Sequence, residues 1–318
     1  MNIEKGNLKN KKVALIGVPL GFGAGQPGSH LGVDAMRIGS LRGRTLEEMI
    51  RELGYEVEDL GNVEITRPAA TAPPDEKPKY LKEMAESCTR TAGAVRRALD
   101  DGRFPVILGG DHAIAIGSVS GIASHFRNLG RDFGLIWFDA HADINTPETS
   151  GSGNIHGMPL ATILGLGDES LTSIEGPAPK LDKRFLAHVG GRDLDPGEKE
   201  LIHSLGLRDQ FFTMSDIDKR GMQACVSDAI AIASRAEVGY AVTFDVDIID
   251  PRFAPGSGTL VRGGITYREA HLALEMIAED GGMRSFEIVE VNPMIDQSNI
   301  TVELACELIL SALGKTIL

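Results

Sequence analysis

The sequence predicts an α/β fold built on a doubly wound, mainly parallel sheet. Short apolar runs recur along the chain, and stretches with helical periodicity separate them. Strands that alternate with helices in this way form parallel sheets through right-handed crossovers. No internal repeat, low-complexity tract or convincing linker interrupts the alternation. We therefore expect residues 1–318 to form a single domain.

The individual elements follow from the same patterns. The predicted strands are apolar or aromatic runs suited to cover on both faces, and they span 13–18, 55–60, 104–108, 133–138, 185–189, 210–213, 238–244 and 284–291. The predicted helices span 41–53, 80–99, 115–125, 157–166, 196–205, 219–236, 266–280 and 297–313. Four prolines predict a surface loop over 68–78.

Composition and charge exclude several classes of protein. The hydrophobic fraction of 42% supplies a core, yet no window approaches about 18 consecutive apolar residues, so no spanning helix is expected. The net charge of −13, from 32 basic and 45 acidic residues, argues against binding to nucleic acid. Residues 1–12 are polar, with four lysines and no secretory signal, so we expect a cytoplasmic protein. Three cysteines without a CxxC pair predict neither disulfides nor a thiolate zinc site.

Polar clusters follow four of the predicted strands. In parallel sheets, ligands bind beyond the carboxyl ends of the strands. The clusters are Gly109-Gly110-Asp111-His112, Asp139-Ala140-His141-Ala142-Asp143, Asp245-Val246-Asp247 and Glu290-Val291-Asn292-Pro293. We expect them to deliver imidazoles and carboxylates to one edge of the sheet.

Three of these clusters supply two histidines and four aspartates as candidate metal ligands. Residues i and i+2 of an extended chain point the same way, so Asp139, His141 and Asp143 can converge, as can Asp245 and Asp247. Six groups are too many for one ion and suit two ions that share bridging carboxylates. The proposed sets are His112, Asp139, Asp143 and Asp245 for one ion, and His141, Asp139, Asp245 and Asp247 for the other.

The donor types indicate the metal. An oxygen-rich set with imidazole and no sulfur favours Mn²⁺ over Zn²⁺, with cobalt, nickel or iron as alternatives. Any one of these clusters could instead be a helix cap or a turn. Six ionisable groups on one edge would, however, repel and desolvate one another unless a cation neutralised them.

Two metal ions favour hydrolysis, because they can generate a nucleophile from water near neutral pH. No Ser or Cys nucleophile motif accompanies the clusters. The nearby loops offer acids and amides where a phosphate site would offer arginines and lysines, so a guanidinium or amine substrate is favoured. The residues are Asn145, Asn154, Asp195, Glu198 and Glu290.

The remaining histidines fall into two groups. His156 lies in the polar, Gly-rich segment 152–157 and is a candidate proton shuttle. The others are expected to be surface or packing residues: His30, His125, His188, His203 and His271.

Taken together, the motifs resemble the ureohydrolase family, and within it the bacterial arginases, over nearly the full chain. The matching segments are 109–112, 139–146, 152–159, 192–198, 244–247 and 290–293. The resemblance implies a three-layer α/β/α sandwich, two Mn²⁺ per subunit on the ligands above, and hydrolysis of L-arginine to L-ornithine and urea by a metal-bridging hydroxide. By analogy it also implies a homo-oligomer, either a trimer or a hexamer.

The resemblance further implies roles for single residues. Asp143 would orient the hydroxide and pass its proton to the leaving amine, and His156 would shuttle protons to solvent. Glu290 would hold the guanidinium, with Thr259 nearby. The matches to the α-carboxylate site are Asn145, Ser150, Ser152 and Asn154, and those to the α-amino site are Asp195 and Glu198.

Three other functions are compatible with parts of this pattern. An agmatinase or guanidino-acid hydrolase would share the metal site without the amino-acid recognition, but the Ser152-Gly153-Asn154 loop argues against it. A zinc-dependent deacetylase of related fold would need a single-metal site. A non-catalytic relative would have lost ligands, whereas all six are present.

Overall fold

A computed structural model describes residues 12–39, 43–69 and 77–318. Predictions for residues 1–11, the start of the 41–53 helix and most of the 68–78 loop lie outside this part of the chain. Within it, eight strands form one sheet: β1 (Lys12–Val18), β2 (Glu56–Asn62), β3 (Phe104–Gly109), β4 (Gly134–Phe138), β5 (Leu186–Val189), β6 (Phe211–Phe212), β7 (Tyr240–Asp245) and β8 (Met283–Val289). Each matches a predicted strand.

The strand order explains where a site can form. The sheet runs β2-β1-β3-β8-β7-β4-β5-β6, and every pairing among the described residues is parallel. β7 and β8, the last strands in the chain, therefore lie in the middle, between β3 and β4. The carboxyl ends of these four neighbouring strands carry the four polar clusters, so the clusters meet at one edge.

Helices cover both faces of the sheet, which confirms the three-layer α/β/α sandwich. Their bounds are α1 (Gly32–Ile38), α2 (Leu46–Glu52), α3 (Leu81–Asp100), α4 (Ala115–Asn128), α5 (Pro159–Ile163), α6 (Glu169–Thr172), α7 (Pro196–Ser204), α8 (Met214–Arg220), α9 (Met222–Ala233), α10 (Tyr267–Asp280) and α11 (Ile300–Ala312). One buried cluster packs α1, α2 and α8–α11 against the sheet, and the other packs α3–α7 against the opposite face.

The structure corrects the helix prediction in two places. The helix predicted over 219–236 is two helices, because Gly221 has a φ of 80° and ends α8 before α9 begins. Helices α1 and α6 were not predicted, since each is short and lacks a strong apolar period. As expected, the three cysteines are buried free thiols. No helix in the described ranges is long and apolar enough to span a membrane.

Candidate metal centre and active site

The predicted ligands of the first ion come together at the ends of β3, β4 and β7. His112 Nδ1 lies 3.0 Å from Asp139 Oδ2, 3.2 Å from Asp143 Oδ2 and 3.3 Å from Asp245 Oδ2. These side chains are buried. The ligand atoms of His112, Asp139 and Asp143 lie within 4.8 Å of one another, as binding of a single cation requires, and Asp245 approaches the same imidazole nitrogen.

The second predicted group lies beside the first. His141 Nδ1 is 3.0 Å from Asp247 Oδ2 and 3.5 Å from Asp139 Oδ1. Asp139 therefore directs one oxygen towards His112 and the other towards His141. Asp139 thus lies between the two groups, where the sequence prediction puts a shared carboxylate, and His141, a quarter exposed, forms the more open side of the pair.

Two main-chain amides and the indole N–H of Trp137 hold the carboxylates in place. Trp137 Nε1 donates to Asp139 Oδ2 at 3.0 Å, and the His141 amide donates to Asp139 Oδ1 at 2.7 Å. The Ala140 amide donates to Asp247 Oδ1 at 3.1 Å. These bonds stabilise the ionised carboxylates and fix their rotamers, as a preorganised ligand set requires.

The backbone is unusual at two of the key positions. Asp143 and Glu290 have φ values of 52° and 64°, a region that non-glycine residues rarely occupy. Nearby, a Cβ at Gly110 would overlap the carbonyl oxygen of Leu20. The loops at the strand ends are thus closely packed. They contain residues with positive φ, a backbone conformation that is found most often at functional sites.

A buried relay orients His112. Thr243 Oγ1 donates its single hydrogen to Glu287 Oε1 at 2.8 Å, so at 3.0 Å from His112 Nε2 it acts as the acceptor and Nε2 as the donor. The ring stacks on Trp137 with centroids 4.2 Å apart. With Nε2 as the donor, Nδ1 carries a lone pair, and among the described residues it is a buried atom without a hydrogen bond. This lone pair, aimed at carboxylate oxygens, fits a metal ion.

The electrostatics of the cluster also call for a cation. Burial raises the pKa of Asp245 well above its ordinary value, and the charges of Asp247 and Asp139 add to the effect. Burial and the charge of Asp139 raise the pKa of Asp143 to about 6. Burial opposes protonation of His112, yet without a cation the carboxylates near it outweigh burial and raise its pKa well above the ordinary value, so that a proton takes the place a metal ion would occupy at Nδ1. Divalent cations would neutralise this crowded negative charge.

The predicted proton shuttle lies next to the predicted guanidinium ligand. His156 Nδ1 is 3.4 Å from Glu290 Oε1, and Glu290 Oε1 also accepts the His112 amide at 3.0 Å. Burial lowers the pKa of His156, but the contact with Glu290 outweighs it and raises the pKa to about 9. The two side chains therefore connect the candidate metal ligand His112 to a partly exposed imidazole.

Other predicted contacts form a network in what we call the recognition loops, residues 145–154 and 192–198. Asn145 Nδ2 donates to Asp195 Oδ2 at 2.9 Å. Asp195 and Glu198 form a reciprocal capping box at the start of α7. Glu198 also accepts the Ile144 amide, and burial with the charge of Asp143 raises its pKa to about 8.

The serines of the first recognition loop mainly shape the loop itself. Ser150 Oγ accepts the Gly153 amide at 2.9 Å, and Ser152 Oγ accepts the Asn154 amide at 3.2 Å. Ser150 is buried and Ser152 is exposed. Thr259, predicted to lie near Glu290, donates through its Oγ1 to Asp247 Oδ2 at 2.9 Å. It therefore supports a metal-ligand candidate directly.

Sequence reasoning missed several supporting residues. Asp111 is fully buried and accepts the Gly23 amide at 2.8 Å, and burial with the charge of Glu290 raises its pKa to about 7. His188, expected to be a surface or packing residue, lies against the site and is 2.6 Å, through Nε2, from the His141 carbonyl oxygen. In the sequence, only the position of Asp111 next to His112 indicated a supporting role. The contact of His188 with His141 joins segments that are distant in the chain and could not be predicted.

The fold and the site define a class of α/β/α proteins that hold a histidine and aspartate metal centre at the carboxyl edge of a parallel sheet. The model of the Arginase family matches residues 11–314. The chain therefore belongs to the arginase family, as the sequence motifs predicted.

Named relatives and solved structures agree with this assignment. An arginase from Brevibacillus brevis is 43% identical over 97% of this chain and 100% of its own length, and one from Bacillus subtilis (strain 168) is 42% identical over the same shares. The native structure of the Bacillus caldovelox arginase has a TM-score of 0.90, with 41% identity over 97% of this chain and all of that chain.

Proposed function

We propose that this arginase-family protein hydrolyses L-arginine to L-ornithine and urea. The observation that carries the proposal is the pair of His/Asp groups that share Asp139 at the centre of the sheet edge. Curated relatives that are named arginases, at about 40% identity over nearly the whole chain, support the same reaction. Agmatinase and guanidino-acid hydrolase, the closest alternatives, are not favoured by these relatives.

The proposed cofactor is two Mn²⁺ per subunit. One would be held by His112, Asp139, Asp143 and Asp245, and the other by His141, Asp139, Asp245 and Asp247. When bound, such cations supply Lewis acidity that lowers the pKa of water and makes a nucleophile available near neutral pH. The oxygen-rich donors, with two imidazoles and no thiolate, support manganese rather than zinc.

The protein's own residues handle the protons and the substrate in this proposal. Asp143 orients the attacking hydroxide and passes its proton to the leaving amine, a role supported by the position of its carboxylate 3.2 Å from His112 Nδ1. Glu290 holds the guanidinium, for which a buried carboxylate is the matching partner. His156, beside Glu290 and partly exposed, exchanges protons with solvent.

The recognition loops hold the amino-acid head of the substrate. Asp195 and Glu198 bind the α-amino group. The residues proposed for the α-carboxylate are Asn145, Ser150, Ser152 and Asn154. The Asn145–Asp195 hydrogen bond links the two sets, which supports their action as one recognition unit. Thr259 supports the metal-ligand candidate Asp247 and is proposed to lie near Glu290, at the guanidinium end of the substrate.

We further propose that residues 1–318 form a single domain, that the protein is cytoplasmic, and that it assembles into a homo-oligomer, either a trimer or a hexamer. The net charge of −13 supports the absence of a nucleic-acid partner. Light scattering after size exclusion would measure the oligomeric state directly.

The test is urea release from L-arginine and from agmatine, measured side by side on protein loaded with Mn²⁺, together with metal content by elemental analysis. The expected result is turnover of L-arginine alone and two manganese ions per chain. A preference for agmatine would overturn the substrate assignment while retaining the metal centre. One tightly bound zinc and no urea would overturn both.

A further inference from the structure

Two lysines that precede α3 contact the first recognition loop. Lys79 Nζ donates to Asn154 Oδ1 at 2.8 Å, and the Lys79 amide donates to the Gly153 carbonyl at 2.9 Å. Lys77 Nζ donates to the Ser150 and Gly151 carbonyl oxygens, at 2.6 and 2.7 Å. The segment around Lys77 and Lys79 therefore docks along the length of the loop.

The contact with Lys79 decides which way the Asn154 amide points. An ammonium group can only donate hydrogen bonds, so it must face the oxygen of the amide and not its nitrogen. Asn154 Oδ1 is occupied in this way, and Nδ2 is left to the opposite side. There it lies near Gly25, where an added Cβ would be 3.1 Å away, so bare backbone leaves space beside the amide donors.

This orientation matters for recognition of a carboxylate. A carboxylate accepts hydrogen bonds and would be repelled by Oδ1 of a flipped amide, whereas Nδ2 offers two donors. The site is otherwise rich in acids, among them Asp143, Asp195 and Glu198. A cation at the edge of the loop lowers the electrostatic penalty for bringing in another negative group.

We infer that Lys79 is a positioning residue that sets the specificity for the α-carboxylate: it orients Asn154 so that the amide donors face an amino-acid substrate. The inference rests on the proposed function, because it assumes that Asn154 lies beside the substrate head. Lys77 shapes the same loop through backbone carbonyls, so its effect is on loop structure and not on amide orientation.

The experiment compares Lys79→Met, Lys79→Arg and, as a matched loss of charge, Lys82→Met. Lys82 is an exposed residue of α3 three positions further on. Calorimetry on Mn²⁺-loaded protein would measure the Kd of L-ornithine and of 1,4-diaminobutane, which is the same molecule without its carboxylate. Urea release would give KM and kcat for L-arginine.

In Lys79→Met we expect the Kd of L-ornithine and the KM of L-arginine to rise about tenfold, with kcat changed less than about twofold. The Kd of 1,4-diaminobutane should change far less. Lys79→Arg, which still only donates, should restore most of the affinity, and Lys82→Met should behave as wild type. Equal weakening of both ligands, or of neither, would overturn the inference.

A second variant tests whether Lys79 acts through Asn154. In an Asn154→Ala background, Lys79→Met should weaken L-ornithine binding much less than it does in the wild-type background, since the amide to be oriented is gone and only the charge of the lysine is removed. A full additional loss would show that Lys79 acts elsewhere and would overturn the positioning role. Wild-type protein that binds L-ornithine but releases no urea would contradict the proposed function and still allow this test.

Discussion

The metal centre and the recognition loops use similar polar residues in different settings. Asp139 and Asp247 are fully buried and accept hydrogen bonds from neighbouring amides. Ser152, by contrast, is exposed, and its hydroxyl accepts the Asn154 amide within its own loop. The centre is built from the ends of packed strands, whereas the loops are tied together by hydrogen bonds between segments. We therefore expect substitutions in the centre to abolish turnover and substitutions in the loops to alter substrate affinity.

The largest effect is expected for Asp139→Asn. The substitution keeps the shape of the side chain but removes the charge that both His/Asp groups share, so metal binding and turnover should fail together. We expect kcat to fall roughly 1,000-fold, or about 4 kcal/mol of activation free energy. Urea release and elemental analysis would measure the two losses. Asp209→Asn, at an exposed position, serves as the control. If the variant kept its full metal content and a normal kcat, Asp139 would not be a metal ligand.

A smaller loss, about 100-fold in kcat, is expected for His156→Asn, because a proton shuttle assists one transfer and leaves the metal ligands in place. Metal content should be unchanged. Since the contact with Glu290 overcomes burial and raises the pKa of His156 to about 9, the residue is protonated below that pH and loses its proton above it. Wild-type turnover should therefore decline as the pH rises through about 9.

The pH profile of kcat provides the check on this role. The residual activity of His156→Asn should lack the decline near pH 9. A decline of the same size in the variant would assign that ionisation to another group.

Thr243→Val tests the buried relay behind the metal centre. Valine keeps the volume but removes the hydroxyl that accepts from His112 and donates to Glu287. We expect Mn²⁺ affinity to fall about 10- to 100-fold, with activity recovered at high Mn²⁺ concentration. A titration of activity against free Mn²⁺ would measure the shift. Thr243→Ser, which keeps the hydroxyl, should remain close to wild type, and equal weakening in both variants would argue for packing instead of the relay.

The smallest effect is expected for Ser152→Ala in the recognition loop. An exposed hydroxyl contributes modestly to binding, so KM for L-arginine should rise about threefold while kcat stays within about twofold. Steady-state kinetics would separate the two constants, with Ser204→Ala on the surface of α7 as the control. A fall in kcat as large as that of His156→Asn would contradict the proposal that the metal centre controls turnover and the recognition loops control substrate affinity.

Many of the candidate metal ligands could be predicted because they directly follow buried strands, and this position brings them together even though the chain leaves the extended conformation at Asp143 and over Val246–Ile248. Asp139, His141 and Asp143 alternate directly after a buried strand, and Asp245 and Asp247 do the same. The expected contacts between these ligand candidates are present in the structure. The roles assigned to the recognition loops came from resemblance, because a serine or an asparagine in a loop has many structural uses.

The sequence by itself determined the α/β class, the eight strands and the candidate ligands. The alternation of strands with helices and the polar residues that follow each strand can both be recognised from residues that are neighbours in the chain. Only the tertiary structure decided that β7 and β8 lie between β3 and β4, because each buried apolar run could pair with any other. The same holds for the Thr243–Glu287 relay and for the contact of Lys79 with Asn154. These depend on segments 44 and 75 residues apart, whose meeting is set by packing of the whole sheet.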